Sequence, residues 1–182
     1  MGEYSRINHT SQPFRVSDWP MYYLATTERQ HTRNASILLH PYGVHHREWR
    51  VLAILNEHNG RTIGHISDIA GLERSTLSKL VEAMEGRGWL RRGTENHDRR
   101  RSPVFLTEKG RRKFEETLPL ILNLFRSYFE GVPPDGLREL MRMLRDLKAR
   151  VARPTPGWRS ESVDPETERR RRRRQRPVRS RA

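Results

Sequence analysis

The sequence of 182 residues has no cysteine. That excludes a disulfide framework, thiolate metal clusters and a cysteine nucleophile, and it fits a reducing cytosol. Apolar residues make up only 34% of the chain, low for a fully packed domain, so part of it is expected to lie outside any core. Long apolar runs are missing too: the longest is VLAIL at 51–55, against the ~20 residues a membrane-spanning helix needs. The first twenty residues carry no signal-peptide stretch, and the expectation is a soluble, cytoplasmic protein with no membrane partner. There is no Gly-rich phosphate loop, no local Ser-His-Asp signature and no carboxylate pair in an apolar setting, so neither catalysis nor a cofactor is expected. No metal site is expected either. His45 and His46 are adjacent and point apart, while His31, His40, His58, His65 and His97 follow no ligand spacing.

Positive charge is abundant. Lys and Arg number 36 against 22 Asp and Glu, a formal charge of +14, and such an excess most often reports nucleic acid, with an anionic membrane surface as the competitor. It is unevenly spread: residues 154–182 hold ten Arg and four Asp or Glu, net +6, including six consecutive arginines at 169–174. A block of this kind repels itself and cannot build a core, so 154–182 is expected to be a disordered basic tail and 1–17 a flexible polar arm. The tail is either a solvated end without a role or a sequence-independent attraction for phosphates.

Between these ends the helical period dominates. Pro20 suits the first turn of a helix over 21–40, stopped before Pro41. HREWRVLAILNEH at 46–58 is a second helix, ended by Asn59 and Gly60. A third starts from Thr62 as N-cap, lines up Ile63, Ile66 and Ile69, and stops at Gly71. A fourth covers 73–86 and ends at Gly86 or Gly88. WLRR and SPVFL then read as a β-hairpin around the polar loop GTENHDRRR, with Pro103 restricted to an edge strand. A long helix over 107–130 follows, with Phe114, Leu118, Ile121, Leu122, Phe125 and Phe129 on one face and a kink expected at Pro119. The last helix carries Leu137, Leu140, Leu144, Leu147 and Val151, spaced 3, 4, 3 and 4. A winged domain of this size cannot cover both faces along their length, which points to a symmetric homodimer rather than a bundle within one chain.

Helix, turn, helix and basic hairpin in this order read as a winged helix-turn-helix. The fold class expected is mainly α with a small β-wing, flanked by N- and C-terminal dimerisation helices. The segments are an arm at 1–17, a first dimerisation helix at 18–41, the DNA-binding domain at 42–106, C-terminal dimerisation helices at 107–153 and the tail at 154–182. In the fourth helix Leu77, Leu80, Val81 and Met84 form the buried stripe, which leaves Arg74, Ser75, Thr76, Ser78 and Lys79 on the other faces. Small hydroxyls beside cations suit base edges and phosphates in a major groove, though Ser75 and Ser78 alone would pass as ordinary surface. At the hairpin tip Asp98 can orient one guanidinium while Arg99, Arg100 and Arg101 meet phosphates or a narrow minor groove.

Residues 43–112, from GVHHREWRVLAIL through ISDIAGLERSTLSKLVEAMEGRGWLRR to DRRRSPVFLTEKGR, resemble the MarR family of bacterial transcription regulators. The family's D-x-R hairpin pattern is matched by Asp98, Arg99 and Arg100, and its L-T-x-x-G exit by Leu106, Thr107 and Gly110. With the flanking helices the resemblance spans roughly 19–152. It implies a triangular homodimer, recognition helices in successive major grooves of a pseudo-palindromic duplex, and wings in the flanking minor grooves, with Asp98 positioning Arg100. It also implies a repressor associated with the bacterial nucleoid through DNA and released by a small ligand, often an aromatic acid. Pro103 inside a wing strand and the arginine tail depart from the family pattern.

For such a ligand, Trp19, Tyr22, Tyr23 and Trp49 offer aromatic walls and Arg50 a cation for an aromatic carboxylate or its thioester. The alternative is that these rings are core and that Arg50 pairs with Glu48 or Glu57 at the surface. From another functional class, an architectural or non-specific nucleic-acid-binding protein dominated by its tail remains open.

Overall fold

The computed structural model describes residues 15–93 and 102–153. The expectations for Asp98, Arg99, Arg100 and Arg101, for most of the N-terminal arm and for the arginine tail lie outside the described residues. The architecture is mainly α with a small sheet: α1 Pro20–Leu39, α2 His46–Glu57, β1 Arg61–Thr62, α3 Ile63–Ala70, α4 Arg74–Gly86, β2 Leu90–Arg92, β3 Pro103–Leu106, α5 Glu108–Tyr128 and α6 Pro134–Val151. It divides into two units, the first ending at Glu130 and the second beginning at Gly131.

In the first unit, local chemistry sets the element boundaries. Pro20 occupies the first turn of α1, where its fixed φ and missing N–H do no harm. His45 caps α2, its ring nitrogen accepting from the Arg47 N–H at 3.2 Å while the Glu48 carboxylate accepts from the His45 N–H at 2.9 Å. Thr62 caps α3 by accepting from the His65 N–H, and Gly71 closes α3 in the left-handed region, which a side chain rarely tolerates. On α3, Ile63, Ile66 and Ala70 are buried, but Ile69 is 43% exposed, against the expected Ile63, Ile66 and Ile69 stripe. Steps of three fall short of a 3.6-residue turn, so the third member has rotated about 120° off the inner face. On α4, Leu77, Val81 and Met84 are buried and Leu80 packs at their edge.

The sheet has the order β1-β3-β2, antiparallel throughout. Pro103 therefore lies on the central strand, which corrects the expectation of an edge. It is tolerated because it is the first residue of β3, where no ladder donor is needed. Its carbonyl still accepts from the Gly93 N–H at 2.8 Å. The two-residue β1 was not anticipated, being too short to show an alternating pattern.

Thr107 explains the Leu-Thr-x-x-Gly exit. Its side-chain oxygen accepts from the Gly110 N–H, and its hydroxyl donates to the Gly88 carbonyl at 2.7 Å. A β-carbon on Gly110 would stand 2.2 Å from the Trp89 carbonyl oxygen, so only glycine lets α5 rest on the sheet root. The helix continues through Pro119 without a change of element. Phe114, Thr117 and Ile121 on α5 are buried, whereas Leu122 and Phe125 are exposed. In the second unit, α6 places Leu137, Leu144 and Leu147 half-buried and Leu140 and Val151 exposed; none of its residues is buried.

Candidate nucleic-acid interface

The N-terminal half of α4 presents a polar, cationic surface. Arg74, Ser75, Thr76 and Lys79 are exposed and Ser78 is half-buried, while Leu77 and Val81, on the opposite side, anchor the helix in the core. The turn before α4 is closed by the Ser67 hydroxyl, which donates to the Leu72 carbonyl at 2.5 Å. Arg74 folds back along α3: a β-carbon on Gly64 would lie 3.6 Å from its guanidinium, an ordinary contact distance. At the other end of α4, Arg87 donates to the Gly43 carbonyl at 3.1 Å and pairs with Glu48 at 3.2 Å. The Glu48 side chain is almost wholly buried, so this pair ties the end of α4 to the start of α2.

One cationic residue beside this surface was not singled out from sequence. Arg91, exposed on β2, lies over the Phe105 ring at 4.3 Å. Strand alternation was its only signal, since Leu90 and Arg92 point the other way. Arg92 itself pairs with Glu85 at 3.0 Å.

The residues expected to wall a ligand site fall into separate groups. Trp19 and Tyr23, 50% and 55% exposed, and Tyr22 stand at the start of α1, and Tyr22 and Tyr23 meet edge to face at 5.4 Å. They are not core in this chain. Trp49 packs against Phe114 at 5.8 Å, with its indole N–H buried and without an acceptor among the described residues. Arg50 pairs with neither Glu48 nor Glu57. Its guanidinium donates to Glu28 on α1 at 2.5 Å and to the Ala70 carbonyl at 2.8 Å.

Around that pair the helices α1, α2 and α5 form a polar junction. The His31 ring meets His46 edge to face at 5.2 Å and Tyr128 at 5.9 Å, and Asn34 donates to the Tyr128 hydroxyl at 3.0 Å. Burial, together with the neighbouring Arg50 and His31 charges, pushes the His46 pKa down to about 4, so its imidazole is neutral at pH 7. Burial acts to raise the Glu28 pKa, but the hydrogen bond and charge of Arg50, helped by His31 and His46, hold it below the usual carboxylate value. This junction is not legible in the sequence, because its histidines come from different helices.

A short helix, a tight turn and a cationic second helix, backed by a three-stranded antiparallel sheet, define a winged helix-turn-helix protein. The family model described as MarR family matches residues 42–101. The chain is 33% identical over 141 residues to the HTH-type transcriptional repressor IacR of Pseudomonas putida, covering 78% of this chain and 84% of that protein. It is 25% identical over 120 residues to the transcriptional repressor MprA of Escherichia coli K12, covering 65% and 68%. Among solved structures, a MarR-family regulator from Silicibacter pomeroyi superposes with a TM-score of 0.68 at 25% identity, covering 78% of this chain and 94% of that one. CouR from Rhodococcus jostii RHA1, solved bound to p-coumaroyl-CoA, gives 0.64 at 26% identity, covering 79% and 98%. This chain belongs to the MarR family. Its homologues are transcriptional regulators, and among its own described residues no helix is long and apolar enough to cross a membrane.

Proposed function

We propose that this protein is a homodimeric, sequence-specific repressor that binds a pseudo-palindromic DNA duplex in the bacterial cytoplasm and is released by a small ligand. The observation that carries this reading is α4. Its inner face is pinned by Leu77, Val81 and Met84, and its outer face offers Arg74, Ser75, Thr76, Ser78 and Lys79 to a major groove. The residues Asp98, Arg99, Arg100 and Arg101 follow between β2 and β3 in the sequence and would reach the flanking minor groove. The uncovered apolar face of α5 and that of α6 support a second copy of the chain as partner. The repressor names of IacR and MprA support the direction of regulation.

An aromatic acid or its thioester is the effector we favour, supported by CouR and its p-coumaroyl-CoA. In this chain the buried Trp49 indole N–H beside Phe114 offers a donor that an acceptor on such a ligand would satisfy. Arg50 would meet a ligand carboxylate only in competition with Glu28.

The test is selection of bound fragments from genomic DNA in the presence of bulk competitor. The regulator retains a preferred pseudo-palindrome with half-sites about 10 bp apart, whereas an architectural protein shows no preference once competitor is added. On the selected duplex, Arg100→Ala should cost on the order of 1–3 kcal/mol of binding with the dimer intact; an unchanged affinity would remove the wing from this scheme.

A further inference from the structure

We infer that Arg50 is a positioning residue for α4: it is a strut that fixes the turn between α3 and α4 to α1. The inference rests on reading α4 as the helix that reads bases. Arg50 sits on α2, and its guanidinium reaches in two directions, to the Glu28 carboxylate on α1 at 2.5 Å and to the Ala70 carbonyl at 2.8 Å. Ala70 is the last residue of α3. Carbonyls at a helix end have no intrahelical donor, and that end carries the negative pole of the helix, so a guanidinium is a strong partner there.

Only Gly71, Leu72 and Glu73 separate that carbonyl from Arg74, the first residue of α4. The turn is already cinched by Ser67 and Leu72, so a displacement at Ala70 carries over to the start of α4, where Arg74, Ser75 and Thr76 are exposed. A guanidinium is planar and holds its donors in a fixed fork, so the positions of Glu28 and Ala70 are coupled through it. A lysine ammonium has three donors on one freely rotating point instead of a fixed fork, so in the same place it couples the two acceptors less rigidly. Arg50 is thereby assigned to the placement of DNA-contacting side chains, and it needs no contact with DNA.

The test compares the full-length chain with Arg50→Met, Arg50→Lys and Glu28→Gln, and uses Ile54→Val, a core change on the same helix, as a control for lost stability. Two readouts are taken: affinity for the selected duplex relative to a scrambled duplex of equal length, and amide hydrogen exchange across residues 70–75 of the free protein. For Arg50→Met we expect the preference to fall about tenfold or more, the loss of a charge-assisted hydrogen bond, with scrambled-duplex affinity and salt slope unchanged. Exchange at 70–75 should rise about as much, while the second half of α4 stays protected. Arg50→Lys should fall between, and Glu28→Gln, whose amide oxygen still accepts, should lose least. An unaltered preference in Arg50→Met and Arg50→Lys, or an equal fall in Ile54→Val, overturns the inference. If the wild-type chain prefers no duplex at all, the reading of α4 fails, and exchange at 70–75 alone decides the strut: no rise in Arg50→Met and Arg50→Lys sinks it.

Discussion

On α4, Leu77, Val81 and Met84 are shut away in the core of their own chain, whereas on α6 the leucines at 137, 140, 144 and 147, spaced as regularly, leave no buried residue. The difference lies in the surroundings. Within the first unit α4 is backed by α3 and by the sheet, and its inner face meets Leu52, Leu55, Ile66 and Val104 in one cluster. α5 divides along its own length: Phe114, Thr117 and Ile121 are buried, while Phe125 and Phe129 meet each other at 4.8 Å and Phe125 is exposed. An apolar stripe therefore announces that it will be buried, but not by which molecule.

Five substitutions would break or sharpen this contrast. The largest effect is expected where we place the partner copy. Leu140→Asp occurs twice in a symmetric dimer and should weaken association by about 3–6 kcal/mol, read as a rise in the monomer fraction at sedimentation equilibrium; an unchanged fraction would mean that α6 is covered in some other way. Leu77→Ala, in the closed region, should cost about 2–5 kcal/mol of folding stability in a denaturant titration, with the dimer dissociation constant unmoved.

The third prediction turns on pH. An unfolded histidine takes up a proton near pH 6.5, but folded His46 does so only near pH 4. Between these values the unfolded chain binds more protons, so stability present above pH 6.5 is lost as the pH falls towards 4. The loss should reach on the order of 2–3 kcal/mol, and His46→Gln should flatten that part of the stability profile. A variant with the wild-type slope would show that other groups govern it.

The smallest effects separate two glycines. Gly110→Ala forces a β-carbon against the Trp89 carbonyl and should cost about 1–3 kcal/mol. Gly136 on α6 has its nearest neighbour at an ordinary 3.6 Å, so Gly136→Ala should be neutral or stabilise by up to about 1 kcal/mol. Paired thermal melts decide between them.

Much of the fold was legible because its signals are local. Thr62, Gly71 and Thr107 mark helix ends through groups within four residues, and the stripe on α4 follows from the helical period. The features missed depend on distant partners. Pro103 was assigned to an edge because strand order is a three-dimensional fact, and β1 joins the sheet with only two residues. Ile69 departs from the expected stripe because a spacing of three drifts off one helical face over two steps. At the candidate site, exposure of the polar α4 residues could be read by subtracting the apolar stripe. The ion pair of Arg50 could not, since Glu28 lies 22 residues away on another helix and nearer carboxylates were available on its own.

The seating of Gly110 beneath Trp89 makes a stiff joint. Thr107 and Gly110 bolt the root of the sheet to the head of α5, which is about 30 Å long at 1.5 Å per residue. A lever of that length turned through about 10° at the joint sweeps roughly 5 Å at its far end. A turn of α5 as a rigid rod would carry the Thr107 contacts with Gly88 and Trp89 at the root of the sheet along with it.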